Sequence, residues 1–335
     1  MARRVLIVGP SWVGDMVMAQ PLAESLATTP DPAMVDMLAP GWVLGMIRRM
    51  PGIANAISSP FAHGKLGFGA RRALGRQLAS HGYDQAIVLP NSFKSALVPW
   101  FAGIPRRTGF LGEWRLGLLN DIHPLDRAAV PRLVDRFALL GPRPGSLAPP
   151  RLLSPPDTRR ETCSRLGIDP ERPAVCLCPG AEYGPAKRWP VEHFATLARA
   201  LAGHGMDIRL LGSARDAPVA DAIAAACGHP VSNLCGRTTL EDAVDVLACA
   251  QVVVSNDSGL MHVAAAVGRP VIALFGSSSP DYTPPLSERA RIMRNPVPCS
   301  PCFKRECPLK HFDCLNGLAP RLVLEQVEAA LEHTE

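Results

Sequence analysis

The stretch Gln251-Val-Val-Val-Ser-Asn-Asp-Ser-Gly-Leu-Met-His-Val-Ala-Ala-Ala-Val-Gly268 reads as a strand, a turn and a helix. The β-branched run at its start has no polar alternation, as expected of a strand buried on both faces. The Ala-rich second half favours helix. Asn256, Asp257, Ser258 and Gly259 separate the two. Asp257 or Ser258 can cap the helix by accepting from its first-turn N–H groups. Gly259 lets another group approach the backbone closely. A helix start fed by a strand end suits an anion, because unpaired N–H groups and the helix dipole both favour negative charge. His262 falls one turn in and can face the same anion. This reads as a diphosphate cradle; an ordinary capped helix with a surface histidine has the same spacing.

The same unit recurs outward in both directions. Toward the C-terminus lies Pro270 to Phe275, a strand. Before the stretch come strands at Ala174–Cys178, Asp207–Gly212 and Val231–Leu234, with helices at Val191–His204, Ala217–Cys227 and Leu240–Cys249. Residues 141–156 carry six prolines in sixteen positions, enough to keep a linker extended. Ahead of it the alternation runs again. Strands are expected at Arg4–Pro10, Ala33–Ala39, Ala54–Ser59 and Gln85–Pro90, and an edge strand at Arg106–Phe110. Helices are expected at Met16–Ala27, Gly41–Met50, Gly69–His81 and Phe93–Ala102. The loop from His63 to Gly69 is glycine-rich and reads as mobile. Repeated β–α units imply parallel sheets covered by helices on both faces. The fold class is therefore α/β: two doubly wound, Rossmann-like domains, 1–150 and 151–335, with ligand expected in the cleft where the strands' carboxyl ends meet.

Composition limits the function. Apolar residues make up 47% and charged residues 19%, so the chain is globular. No apolar run reaches membrane-spanning length, and the start of the chain is too weakly apolar for a signal peptide, which points to the cytoplasm. Residues 1–150 have a net charge of +7 and residues 151–335 of −2, so the first half suits an anionic partner. Lys65, Arg71, Arg72, Lys94, Arg106 and Arg107 are its candidate contacts. Solvated helix faces would give the same count.

Gly9-Pro-Ser-Trp-Val-Gly14-Asp15 joins the first strand to its helix. It lacks both the G-x-G-x-x-G of dinucleotide sites and the Lys-Ser/Thr of a P-loop. Asp15 stands at a strand's carboxyl end, as a general base or as a helix cap. After the Ala174 strand, Pro179 to Pro190 places Lys187 among turn residues, where its ammonium can meet a phosphate. Ser213 and Asp216 follow the next strand; Asp216 is positioned for ribose hydroxyls or for capping. Thr238 is a candidate for the base pocket. The tail carries Cys299-x2-Cys302-x4-Cys307-x3-His311-x2-Cys314, soft-metal ligand types at a spacing of no standard finger. A structural Zn²⁺ and a compact turn of reduced thiols both fit. Residues 318–333 read as a closing amphipathic helix.

Residues 9–18, 179–190 and 256–268, with the tail at 299–308, resemble the ADP-heptose:lipopolysaccharide heptosyltransferases, and most closely the heptosyltransferase II subfamily. The resemblance spans nearly the whole chain. It implies a GT-B glycosyltransferase with an interdomain cleft, the acceptor on the first domain and ADP-heptose on the second. It implies inverting transfer of L-glycero-D-manno-heptose to the first inner-core heptose of nascent lipopolysaccharide, at the cytoplasmic face of the inner membrane, and no catalytic metal. Asp15 is then the base. Gly14, Tyr183, Lys187, Ser213, Asp216, Thr238, Asp257, Ser258, Gly259 and His262 attend the donor, and Lys187 and His262 meet the charge on the departing diphosphate. A closing helix that crosses back onto the first domain is also implied. The rivals are a heptosyltransferase I-like enzyme, a sugar-nucleotide epimerase of the same fold, and a zinc-containing nucleic-acid-binding protein. The last is disfavoured because the basic excess lies in the half without the tail cysteines.

Overall fold

The computed structural model describes residues 3–61, 65–142 and 147–333. The chain forms two compact units, Met1–Arg151 and Leu152–Glu335. In the first, β1 (Arg3–Val8), β2 (Ala33–Pro40), β3 (Asn55–Ser59), β4 (Gln85–Val88), β5 (Arg106–Phe110) and β6 (Asp121–His123) form one sheet. Its order is β3-β2-β1-β4-β5-β6 and every pairing is parallel. The second unit has β7 (Ala174–Cys178), β8 (Asp207–Leu210), β9 (Ser232–Asn233), β10 (Val252–Asn256), β11 (Val271–Phe275) and β12 (Ala290–Arg294). These run β12-β11-β10-β7-β8-β9, again all parallel. Counted within each unit, both sheets have the order 3-2-1-4-5-6, which reverses direction between the first and fourth strands.

β7, β10 and β11 are buried at every residue, which explains their unbroken apolar runs. They anchor a core that includes Trp189, Phe194 and Leu315. In the first unit Leu6, Val88 and Val98 belong to the corresponding core.

Several expected elements differ from those observed. Arg106–Phe110 is an interior strand, because the three-residue β6 adds beyond it; Thr108 Oγ1 donates to Asp121 Oδ2 at 2.7 Å across that pairing. β12 had no expected counterpart, since half-buried and exposed residues without strict alternation carry no period-2 signal. The helix expected over 41–50 is a 3₁₀ turn, Gly41–Val43, then Leu44–Ile47. The helix expected over 93–102 likewise divides at Ala96. The first helix starts at Val13, three residues early, which places Asp15 inside its first turn. His63 and Gly64 of the glycine-rich loop, and 143–146 of the proline-rich linker, lie outside the described residues. The closing helix, Pro320–Glu332, buries Val323, Val327 and Ala330 in the second unit's own core. Among the described residues no helix is long and apolar enough to cross a membrane.

Candidate active site

Ligands of open α/β sheets bind beyond the strands' carboxyl ends, where the strand order reverses. In the second unit that point lies between β7 and β10. The two stretches singled out by sequence, 179–190 and 256–268, are the loops that leave those two strands.

Asn256, fully buried, joins them. Its Nδ2 donates to the Pro179 carbonyl at 2.7 Å, and its Oδ1 accepts from the Trp189 N–H at 3.0 Å. Trp189 is buried against Phe194 and donates from Nε1 to the Leu318 carbonyl at 2.8 Å. Lys187, two residues earlier, is thereby held over the loop that follows β10. Its ammonium pairs with Asp257, whose carboxylate also accepts from Ser278 Oγ. The Lys187 ammonium also lies 5.1 Å from the centre of the Tyr183 ring. An ammonium has three donors, and the Asp257 carboxylate engages one, so the group can still donate to phosphate oxygens. Neither Asp257 nor Ser258 caps the following helix: Ser258 is at the N-cap but its Oγ meets Ser255 Oγ at 3.3 Å rather than a backbone N–H, and Asp257 is held by Lys187 and Ser278.

His262 is buried beside this cluster. Desolvation lowers its pKa to about 4; Lys187 pushes in the same direction and Asp257 opposes it. The imidazole is therefore neutral near pH 7. The group that stands beside the expected anion site is thus a neutral hydrogen-bonding one, because burial disfavours the charged imidazole.

Asp216 is nearly buried, and its Oδ2 accepts from the Ser213 N–H at 2.9 Å and from Ser213 Oγ at 2.7 Å. Ser213 and Asp216 form a reciprocal capping box. These bonds leave one carboxylate oxygen, Oδ1, which faces Arg188 at 3.8 Å. Thr238 is half-buried, next to Thr239, which caps the Leu240–Ala248 helix.

The first unit's switch point lies between β1 and β4. Gly14 is buried and Asp15 half-buried in the helix turn that leaves β1. Of the expected acceptor contacts, Lys65, Arg72 and Arg106 are exposed and Lys94 is half-buried. Arg106 Nε bonds Asp121 at 2.8 Å. Two need correction. Arg71 is buried, donates to the carbonyls of Leu66 at 2.6 Å and Lys94 at 3.0 Å, and stacks on Phe61. Arg107 donates to the carbonyls of Leu118 and Ile104, both at 2.6 Å. Their guanidinium groups hold loops together.

Arg115 escaped the sequence reading. It is fully buried and donates to Pro90 O at 2.5 Å, Asn91 Oδ1 at 3.1 Å and the Phe110 carbonyl, fixing the loop that leaves β4. Burial lowers its pKa to about 10, which leaves it charged. A single arginine in a leucine- and glycine-rich stretch gives no sequence signal of this.

Cys299, Cys302, Cys307, His311 and Cys314 line one small cavity. Among the described residues, no three His, Cys, Asp or Glu side chains stand in ready metal-holding geometry.

Two tandem Rossmann-ordered units, each a doubly wound parallel sheet, follow the GT-B plan of sugar-nucleotide enzymes. The sequence profile of glycosyltransferase family 9 (heptosyltransferase) matches residues 71–313. The chain is 44% identical over 346 residues to lipopolysaccharide heptosyltransferase 2 of Escherichia coli strain K12, covering 99% of each. It is also 44% identical over 306 residues to lipooligosaccharide heptosyltransferase 2 of Haemophilus influenzae, covering 87% of this chain and 88% of that one. The solved E. coli ADP-heptose lipopolysaccharide heptosyltransferase II superposes with a TM-score of 0.89 at 43% identity, over 98% of this chain and 99% of that one. The chain belongs to glycosyltransferase family 9, the heptosyltransferases.

Proposed function

We propose that this enzyme transfers the heptosyl group of ADP-heptose to the first inner-core heptose of nascent lipopolysaccharide, with inversion at the anomeric carbon. The observation that carries the reading is the Lys187–Asp257–Ser278 cluster at the β7/β10 switch point, in a chain 44% identical to a lipopolysaccharide heptosyltransferase 2. In this reading the donor diphosphate lies at the first turn of the Gly259–Ala266 helix. Asp257 holds the Lys187 ammonium, which donates to the phosphate oxygens. As the bond from the anomeric carbon to the diphosphate breaks, charge builds on ADP, and fixed donors stabilise it without reorganising. His262 adds a neutral hydrogen bond. Asp15 takes the proton of the acceptor hydroxyl as its oxygen bonds the anomeric carbon.

Lys65, Arg72 and Lys94 suit the anionic groups of the acceptor. Work on a lipid-linked acceptor places the enzyme in the cytoplasm, against the cytoplasmic face of the inner membrane. No divalent cation is needed for the chemistry in this reading, so the rate is expected to be equal with and without added Mg²⁺. The decisive experiment incubates the protein with ADP-heptose and lipopolysaccharide truncated after its first heptose. The acceptor should gain one heptosyl unit by mass as ADP appears. ADP-heptose turnover with no glycosylated product would refute the reading.

A further inference from the structure

The chemistry above leaves the cysteine-rich tail unused. Its cavity, lined by Cys299, Cys302, Cys307, Cys314, His311 and Ser277 among others, is about 20 Å³, room for one ion or one water. The backbone there is unusual. Phe303, directly after the Cys299-x2-Cys302 pair, has φ +54°, and Lys310, three residues after Cys307, has φ +59°. Left-handed backbone at residues with a Cβ costs about 1 kcal/mol or more each, so something must offset it. Both residues lie in the turns that bring Cys302 and Cys307 to the cavity wall, and the Lys310 N–H closes its turn on the Cys307 carbonyl at 3.1 Å.

The imidazole tells which groups are ligands. His311 Nδ1 lies 2.9 Å from the Asp313 N–H, closer than the 3.4 Å to the Asp313 carboxylate, and with Nδ1 accepting the N–H the ring proton sits on Nε2. Nε2 lies 3.9 Å from Cys299 Sγ, toward which it can donate. The four thiols are thus the ligand set, and His311 supports one of them from behind, as metal-bound groups are commonly supported.

The tail also holds the donor loops. Tyr183 Oη donates to the Phe303 carbonyl at 2.8 Å, Arg305 Nε to the Tyr183 carbonyl at 2.7 Å, and the Ala186 N–H to the Arg305 carbonyl at 3.1 Å. A Cβ on Gly184 would collide with that same Arg305 carbonyl. On the other side the Phe303 N–H donates to the Ser277 carbonyl, and Ser300 Oγ to the Gly276 carbonyl, both at 2.7 Å. Residues 300–305 therefore bridge the loop bearing Lys187 and the loop bearing Ser278.

We propose that Cys299, Cys302, Cys307 and Cys314 bind one Zn²⁺ tetrahedrally as thiolates, and that the ion clamps the two loops of the donor site. The thiols draw inward and release their protons as the ion enters. The clamp, unlike the metal site itself, rests on the donor-site reading above.

The test is metal analysis of the full chain, purified without a polyhistidine tag from zinc-supplemented medium. One equivalent of zinc is expected, lost in Cys302→Ser and Cys307→Ser and kept in His311→Gln. Cobalt grown into the protein should show thiolate charge-transfer absorption. Protein without stoichiometric metal, or a Cys302→Ser/Cys307→Ser double variant that keeps its metal, overturns the site. Loss of metal in His311→Gln overturns the four-thiolate assignment. For the clamp, metal-depleted protein should bind ADP about tenfold more weakly, one charge-assisted bond's worth; equal affinity refutes it. If metal-loaded protein fails to bind ADP at all, the donor-site reading fails while the metal site stands.

Discussion

The two units share one strand order but furnish their switch points differently. In the second, a buried amide, Asn256, ties both strand exits together, and Lys187, Asp257 and Ser278 are already paired. In the first, Arg115 braces the loop after β4, and Asp15 stands half-buried in a helix turn. In the proposed function the second holds a fixed anion, the donor diphosphate. The first presents a carboxylate and exposed cations, as a surface for a larger, variable acceptor would. One backbone plan thus carries two different sets of side chains at its strand ends, and function follows such sets rather than the fold.

The contrast can be broken most sharply at Asp15. Asp15→Asn should lower kcat/KM by roughly 10²–10⁴-fold, the usual worth of a general base, with ADP affinity unchanged by calorimetry. Near-normal turnover removes the base from the first unit. Lys187→Ala should act the other way, weakening ADP-heptose binding by roughly 10–100-fold, as losing a charge-assisted bond does. Unchanged affinity would take Lys187 out of the donor site.

A third effect is on stability. Because the folded-state pKa of His262 is depressed from 6.5 to about 4, the unfolded chain binds more protons between those values. Stability from this group is complete above about pH 6.5 and falls, by on the order of a few kcal/mol, as pH drops toward 4. Urea midpoints measured from pH 7 to pH 4.5 should show the decline, and His262→Gln should flatten it. An equal slope in the variant would mean His262 titrates normally. The smallest effect is at the Ser213–Asp216 box. Asp216→Ala should cost about 1 kcal/mol and lower Tm by about 2–4 °C. ADP affinity should change less than twofold; a larger loss would restore Asp216 to the ribose.

Much of this was legible beforehand. Strand–loop–helix units announce themselves through β-branched runs and glycine turns, so both domains and the three switch-point loops could be read in order. Short or irregular elements could not. β6 and β12 are strands because a neighbour's edge is available, and their own sequences carry no period. The candidate site was legible as residue types and much less as roles. Arg71 and Arg72 are adjacent and chemically alike, yet one is buried on carbonyls and the other exposed. Which face of a helix is covered depends on what packs against it.

By itself the sequence determined the α/β class, the two-domain division, the family resemblance and the loops that leave the switch-point strands. These follow from local periodicity and turn chemistry, which act over a few neighbouring residues. Only the tertiary structure decided that Asp257 pairs with Lys187, seventy positions away, that His262 is neutral, and that Asp216 serves as a cap. Charge, burial and hydrogen-bond partner are properties of a surrounding volume, and that volume is assembled from segments far apart in the chain.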